Sequence, residues 1–107
     1  IVVGSSRGGA IASVINRCGA KVILIAPAWK KFECDPCLDE NTFILHSSRD
    51  DIVLLEDSKL LKEKFNCRLI TCGESHRMND FEAFAFLDGA IDFLKDKIKE
   101  ERSAAML

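Results

Sequence analysis

The sequence predicts an α/β domain: a parallel sheet of about four strands with helices on both faces. Three observations predict it. Short runs rich in Val, Ile, Leu and Phe, near residues 1–3, 21–26, 42–45 and 67–72, are apolar at consecutive positions, as strands covered on both faces are. Segments with helical spacing alternate with them, and that alternation implies parallel, right-handed connections. The three polar clusters that stand out each follow the C-terminal end of one of these runs, where open α/β sheets gather their ligands.

The composition agrees. Apolar residues make up 48% and charged residues 30% of 107, the balance of a soluble globular chain of one domain's length. A net charge of −2 offers no footprint for nucleic acid or an anionic membrane. No apolar run approaches the ~18–20 residues of a membrane helix, and none has the flanks of a signal peptide. Five cysteines, an odd number without regular spacing, argue against a disulfide framework and for a reducing, cytoplasmic setting. The only methionines are Met78 and Met106, and Ile1 lies inside an apolar run, so further chain is expected before it.

In chain order, Ile1-Val2-Val3 is a buried strand ending at Gly4. A helix follows through Ile11, Ala12, Val14, Ile15 and Cys18, with Gly19 as its C-terminal cap. Lys21 to Ala26 is the second strand. Residues 27–41, with both prolines and Trp29, form a connector in which Trp29 to Phe32 suggests a short helix. Thr42 to Leu45 is the third strand, ending at His46. A helix runs from about Leu54 to Phe65 and stops at Asn66; Cys67 to Cys72 is the fourth strand. The last helix spans Phe81 to about Glu101, with Phe81, Phe84, Ala85, Ile91, Leu94 and Ile98 as its buried stripe and residues 102–107 as a frayed tail. The cysteines are expected to be free thiols, mostly buried apart from Cys34 and Cys37. The C-x-x-C pair at 34 and 37 lacks the second pair that a zinc site requires, so no metal is expected.

Gly4-Ser5-Ser6-Arg7-Gly8 fits G-x-S-x-G between a strand and a helix. A nucleophile on such a sharp turn calls for small neighbours two residues to either side. Ser6 is the central residue, beside a helix N-terminus whose partial positive charge favours a developing oxyanion. A serine nucleophile needs a base, and the base an orienting acid. The chain has two histidines: His46, which reads as a hydrogen-bonded structural residue, and His76, in the loop after the fourth strand. Asp50 and Asp51 follow the third strand; register favours Asp50, with Asp51 as its rival. The order Ser6, Asp50, His76 is that of the α/β-hydrolase arrangement.

Three segments now carry a family resemblance. Gly4-Ser5-Ser6-Arg7-Gly8-Gly9, His46-Ser47-Ser48-Arg49-Asp50-Asp51-Ile52-Val53 and Gly73-Glu74-Ser75-His76-Arg77-Met78 resemble the signature segments of small α/β-hydrolase-fold esterases. The resemblance spans nearly the whole chain and implies a partial α/β-hydrolase fold, its C-terminal portion from the nucleophile onward. It places the triad acid on Asp50, in the family's His–Gly–x–x–Asp segment, and the base on His76. Ser47 stands where the family has Gly. The connector is too short for a large cap, which implies an open substrate site. The family's early strands, with the loop that supplies a second oxyanion donor, have no counterpart here, leaving the backbone N–H of Arg7. The same glycine turn, with Gly19-Ala20-Lys21-Val22, also resembles the cofactor turn of short-chain dehydrogenases. Against that reading, no acidic residue ends the second strand at Ala26, and the chain has no tyrosine for that family's Tyr–Lys pair.

The sequence therefore predicts a serine hydrolase of a small ester or related acyl compound, acting through Ser6, His76 and Asp50 with no cofactor. The alternative is a non-catalytic fragment or subunit. Arg49 and Arg77 flank the site, as solvated charges or as contacts for an anionic substrate. Ile1 to Val3 would be a bare apolar edge, which soluble proteins avoid. Preceding chain or a second copy is expected to cover it, and slow ester hydrolysis is expected of these residues alone.

Overall fold

Residues 1–106 are described by a computed structural model. Its elements run β1 (Val2–Ser5), α1 (Arg7–Val14), β2 (Val22–Ile25), β3 (Phe43–His46), α2 (Leu55–Phe65), β4 (Arg68–Thr71) and α3 (Phe81–Ala105). The four strands form one all-parallel sheet in the order β1-β2-β3-β4. Because side chains alternate across a strand, β2 and β3 divide their apolar residues between two cores. Ile23, Phe43 and Leu45 face α3 and pack with Ala83, Ala90 and Leu94. Val22, Leu24 and Ile44 face α1 and α2 and pack with Ala12 and Leu61. Helices thus cover both faces of the sheet. Among the described residues no helix is long and apolar enough to cross a membrane.

Four local expectations are corrected. Helix α1 stops at Val14, not Cys18: Ile15 turns extended (φ −71°, ψ 159°), and the Arg17 guanidinium donates to the Ala12 and Ile15 carbonyls. A side chain thus satisfies carbonyls that another helical turn would otherwise have covered. Cys18 then falls on an exposed turn, so it joins Cys37 outside the core, with Cys34 half-buried; all five cysteines are free. Trp29 to Phe32 lies in overlapping turns, with Phe32 N–H on the Ala28 carbonyl at 3.2 Å, Glu33 N–H on the Lys30 carbonyl at 3.1 Å and Cys34 N–H on the Trp29 carbonyl at 2.8 Å, and forms no helix.

The fourth correction concerns α3. Asp80 caps it by accepting the Ala83 N–H at 3.2 Å, and the helix then buries Ala83, Ala90 and Leu94, with Leu87 and Ile91 packed alongside. Phe81, at 88% exposure, Phe84 and Ala85 lie outside that stripe. The small side chains at 83 and 90 let the helix lie close to the sheet, which sets its rotation against the bulkier phenylalanines. The helix continues through Arg102 to Ala105, so the expected tail is helical there; Leu107 lies outside the described residues.

Candidate active site

Strand β1 delivers the chain to Ser6, whose backbone takes φ 53° and ψ −112°. For a residue with a Cβ, a sparsely populated conformation of this kind costs about 1–3 kcal/mol and persists only where the surroundings over-determine it. Here they do. The Ser6 N–H donates to the Ile25 carbonyl at 2.8 Å, and the Ser6 carbonyl accepts from Ala10 at 3.0 Å and Ala28 at 2.9 Å. With the backbone pinned on both sides, the hydroxyl is the free end, and it donates to His76 Nε2 at 2.8 Å.

The turn is as tight as expected on one side only. A Cβ on Gly4 would run into the Gly8 carbonyl oxygen and come within 2.9 Å of the Ala12 Cβ. A Cβ on Gly8 would meet nothing within 4 Å, which corrects the expectation for that position. The second close approach is at Gly9, whose Cβ would stand 3.0 Å from Pro27 Cα. The G-x-S-x-G pattern works here because the backbone of Gly8 comes up against Gly4.

Asp50 lies in the turn after β3, its side chain wholly buried. One carboxylate oxygen, Oδ1, accepts the N–H groups of Ile52 and Val53, both at 2.8 Å. The other, Oδ2, accepts His76 Nδ1–H at 2.7 Å and lies 3.1 Å from His46 Nε2. Burial by itself would raise the Asp50 pKa; the His76 hydrogen bond and the two backbone N–H groups outweigh it and hold the carboxyl below its ordinary value. Asp51, the rival, points to solvent.

His76 is carried by the loop after β4. Gly73 opens that loop at φ +88°, and a Cβ there would also press on the Met78 sulfur at 2.5 Å. Met78 is buried beneath the loop, and Glu74 N–H donates to Asp80 at 3.0 Å. The Ser47 hydroxyl donates to the Gly73 carbonyl at 2.9 Å and accepts Arg49 N–H at 3.0 Å, tying the loop of Asp50 to the loop of His76. A Gly at that position would lack this tie.

Arg7, the first residue of α1, donates its N–H to no backbone carbonyl among the described residues, as expected of a helix's first turn. That N–H follows Ser6 directly in the sequence. The Arg7 guanidinium leans over the Phe32 ring, 5.6 Å from its centroid. Arg49 and Arg77 are exposed. The Trp29 indole N–H donates to the Asp57 carbonyl at 3.0 Å, and the ring borders a 370 Å³ apolar cavity with Leu60, Leu61 and Phe65 on the α2 side. Among the described residues no three His, Cys, Asp or Glu side chains stand as metal ligands would.

Ser58 and Ser47 are the polar residues that sequence reasoning missed. Both are fully buried, and Ser58 bonds His46 Nδ1 at 2.6 Å. The signal for Ser58 was available: it lies in helical phase with Leu61 and Phe65, so a serine occupies the core-facing stripe of α2. Ser47 stood out in the sequence only as a departure from the Gly of the resembled segment; its bond to Gly73 was not legible there.

Compared with known proteins, the chain matches no family model and no curated sequence.

Proposed function

We propose that this chain is a serine hydrolase of the α/β-hydrolase type, acting on a small ester or related acyl compound. One observation carries the reading. Two short hydrogen bonds join a strained serine to a histidine 70 positions away, and that histidine to a buried carboxylate 26 positions away. Each member follows a different strand of the sheet. A serine hydroxyl bonded to an imidazole favours this reading over a dinucleotide turn.

In the reaction, His76 Nε2 takes the Ser6 proton as Oγ attacks the acyl carbon. Asp50 holds Nδ1–H, which fixes the tautomer and stabilises the imidazolium. The tetrahedral oxygen meets the Arg7 N–H at the start of α1. His76 then gives its proton to the departing alcohol, leaving an acyl group on Ser6. Water, activated by the same imidazole, releases the acid and restores the hydroxyl. One oxyanion donor instead of two costs roughly 10²–10³ in rate, so turnover by these residues alone is slow.

The outer edge of β1 supports a wider assembly on this reading. Among the described residues β1 pairs only with β2, Ile1 and Val3 are 42% and 46% exposed, and a further strand, from more chain or a second copy, would pair with its open backbone edge. Five free thiols accord with a reducing, cytoplasmic location. The test is hydrolysis of a small activated ester such as p-nitrophenyl acetate. Slow turnover lost in both Ser6→Ala and His76→Ala is expected; turnover equal to wild type in Ser6→Ala would overturn the proposal.

A further inference from the structure

His46 takes no part in the reaction just described, yet it is fully buried and ends the strand that leads to the acid. Its two ring nitrogens face different chemistry. Nε2 is 2.8 Å from the Val53 carbonyl and 3.1 Å from Asp50 Oδ2, two groups that only accept when the carboxyl is ionised. The ring hydrogen therefore sits on Nε2, and Nδ1 accepts the Ser58 hydroxyl at 2.6 Å. No other tautomer satisfies both ends.

This arrangement does more than fill the core. Val53 is the residue whose N–H holds Asp50 Oδ1, so anchoring its carbonyl fixes that donor in place. The Nε2–H edge of His46 itself stands against Oδ2, the atom that accepts from His76. His46 therefore braces both oxygens of one carboxylate, and Ser58 ties the ring to α2. We propose that His46 is a positioning residue: it sets the direction in which Asp50 presents Oδ2 to His76, and with it the aim of the imidazole at Ser6. This inference rests on the hydrolase reading for its consequence in rate, but its geometry stands independently of that reading.

The experiment uses the whole chain and two readouts. Proton NMR follows the His76 Nδ1–H, which in a 2.7 Å bond to a carboxylate gives a downfield resonance. Labelling of Ser6 by a fluorophosphonate follows the aim of the base. The amide nitrogen of Gln lies as many bonds from Cβ as Nε2 of His, whereas Asn reaches only toward Ser58. His46→Gln is therefore expected to keep the resonance and label within a few-fold of wild type. His46→Asn and His46→Leu are expected to shift or broaden the resonance and slow labelling roughly 10²-fold, the scale of a misplacement of about 1 Å. Unmoved resonance and unchanged labelling in folded His46→Asn or His46→Leu would overturn the proposal, as would a His46→Gln protein no better than His46→Leu. If both disruptive variants fail to fold, Ser58→Ala decides: loss of the hydroxyl that steadies the ring must broaden the resonance, and an unmoved line overturns the inference. A wild-type protein that resists the fluorophosphonate refutes the hydrolase reading, while the resonance still judges His46.

Discussion

The two sides of the candidate site are held by different means. On the acid side, between β3 and α2, Asp50, His46, Ser47 and Ser58 are all buried, and each polar side chain has a hydrogen-bond partner within the chain. On the nucleophile side, β1 pairs with β2 alone, and Ile1, Val3, Ile11, Val14 and Ile15 stand 42–52% exposed. Asp50 is fixed by a closed side-chain hydrogen-bond network, Ser6 by backbone hydrogen bonds that hold its strained turn and by a close glycine contact. The first is sensitive to loss of a polar atom; the second is sensitive to addition of a carbon.

The largest expected effect breaks the acid side. Asp50→Asn keeps an oxygen for the Ile52 and Val53 N–H groups but turns an amide toward His76 and favours the wrong tautomer. A loss on the order of 10⁴-fold in ester turnover is expected, read by steady-state kinetics with the fold checked by circular dichroism. A variant near wild-type activity would mean that Asp50 does not orient the base.

Next in size is a change on the nucleophile side. Gly4→Ala places a Cβ against the Gly8 carbonyl, a backbone atom that cannot move without unseating Ser6. Destabilisation of about 1–3 kcal/mol is expected from such overpacking. Gly8→Ala, with open space around it, is expected within ~0.5 kcal/mol of wild type. Urea midpoints measure both, and equal effects at the two glycines would undo the account of the turn.

A smaller effect separates the two sides by pH. The Asp50 pKa is lower folded than unfolded, so the carboxylate's contribution to stability is present above its unfolded pKa near ~3.9. It is lost as pH falls through the lower folded value. Denaturation midpoints recorded from pH 6 downward are thus expected to fall more steeply below about pH 4 in wild type than in Asp50→Asn. Parallel curves would contradict the assigned direction.

What the sequence made legible follows the same division. Strands that are apolar on both faces, such as Val22–Ile25, and the polar segments at their C-terminal ends are local patterns, visible without the fold. The end of α1 depended on Arg17 reaching back to two carbonyls, and the rotation of α3 on small residues at 83 and 90 meeting the sheet. Those are contacts between elements, and propensity carries no information about them. The same holds for the site. The segments holding Ser6, Asp50 and His76 stood out by residue type, whereas the bonds from Ser58 to His46 and from Ser47 to Gly73 join positions that only folding brings together. The glycine pattern misdirected the reading at Gly8, because it records where backbone approaches backbone without saying whose missing side chain matters.

The central claim is that Ser6 is a nucleophile activated by His76. Its most direct measurement is intact-protein and peptide mass spectrometry after exposure to a fluorophosphonate, for wild type and His76→Ala. One adduct per chain, located on Ser6 and slowed by at least ~10³-fold in His76→Ala, is expected. No adduct on wild type, an adduct on a different residue, or equal labelling of Ser6 without His76 would contradict it.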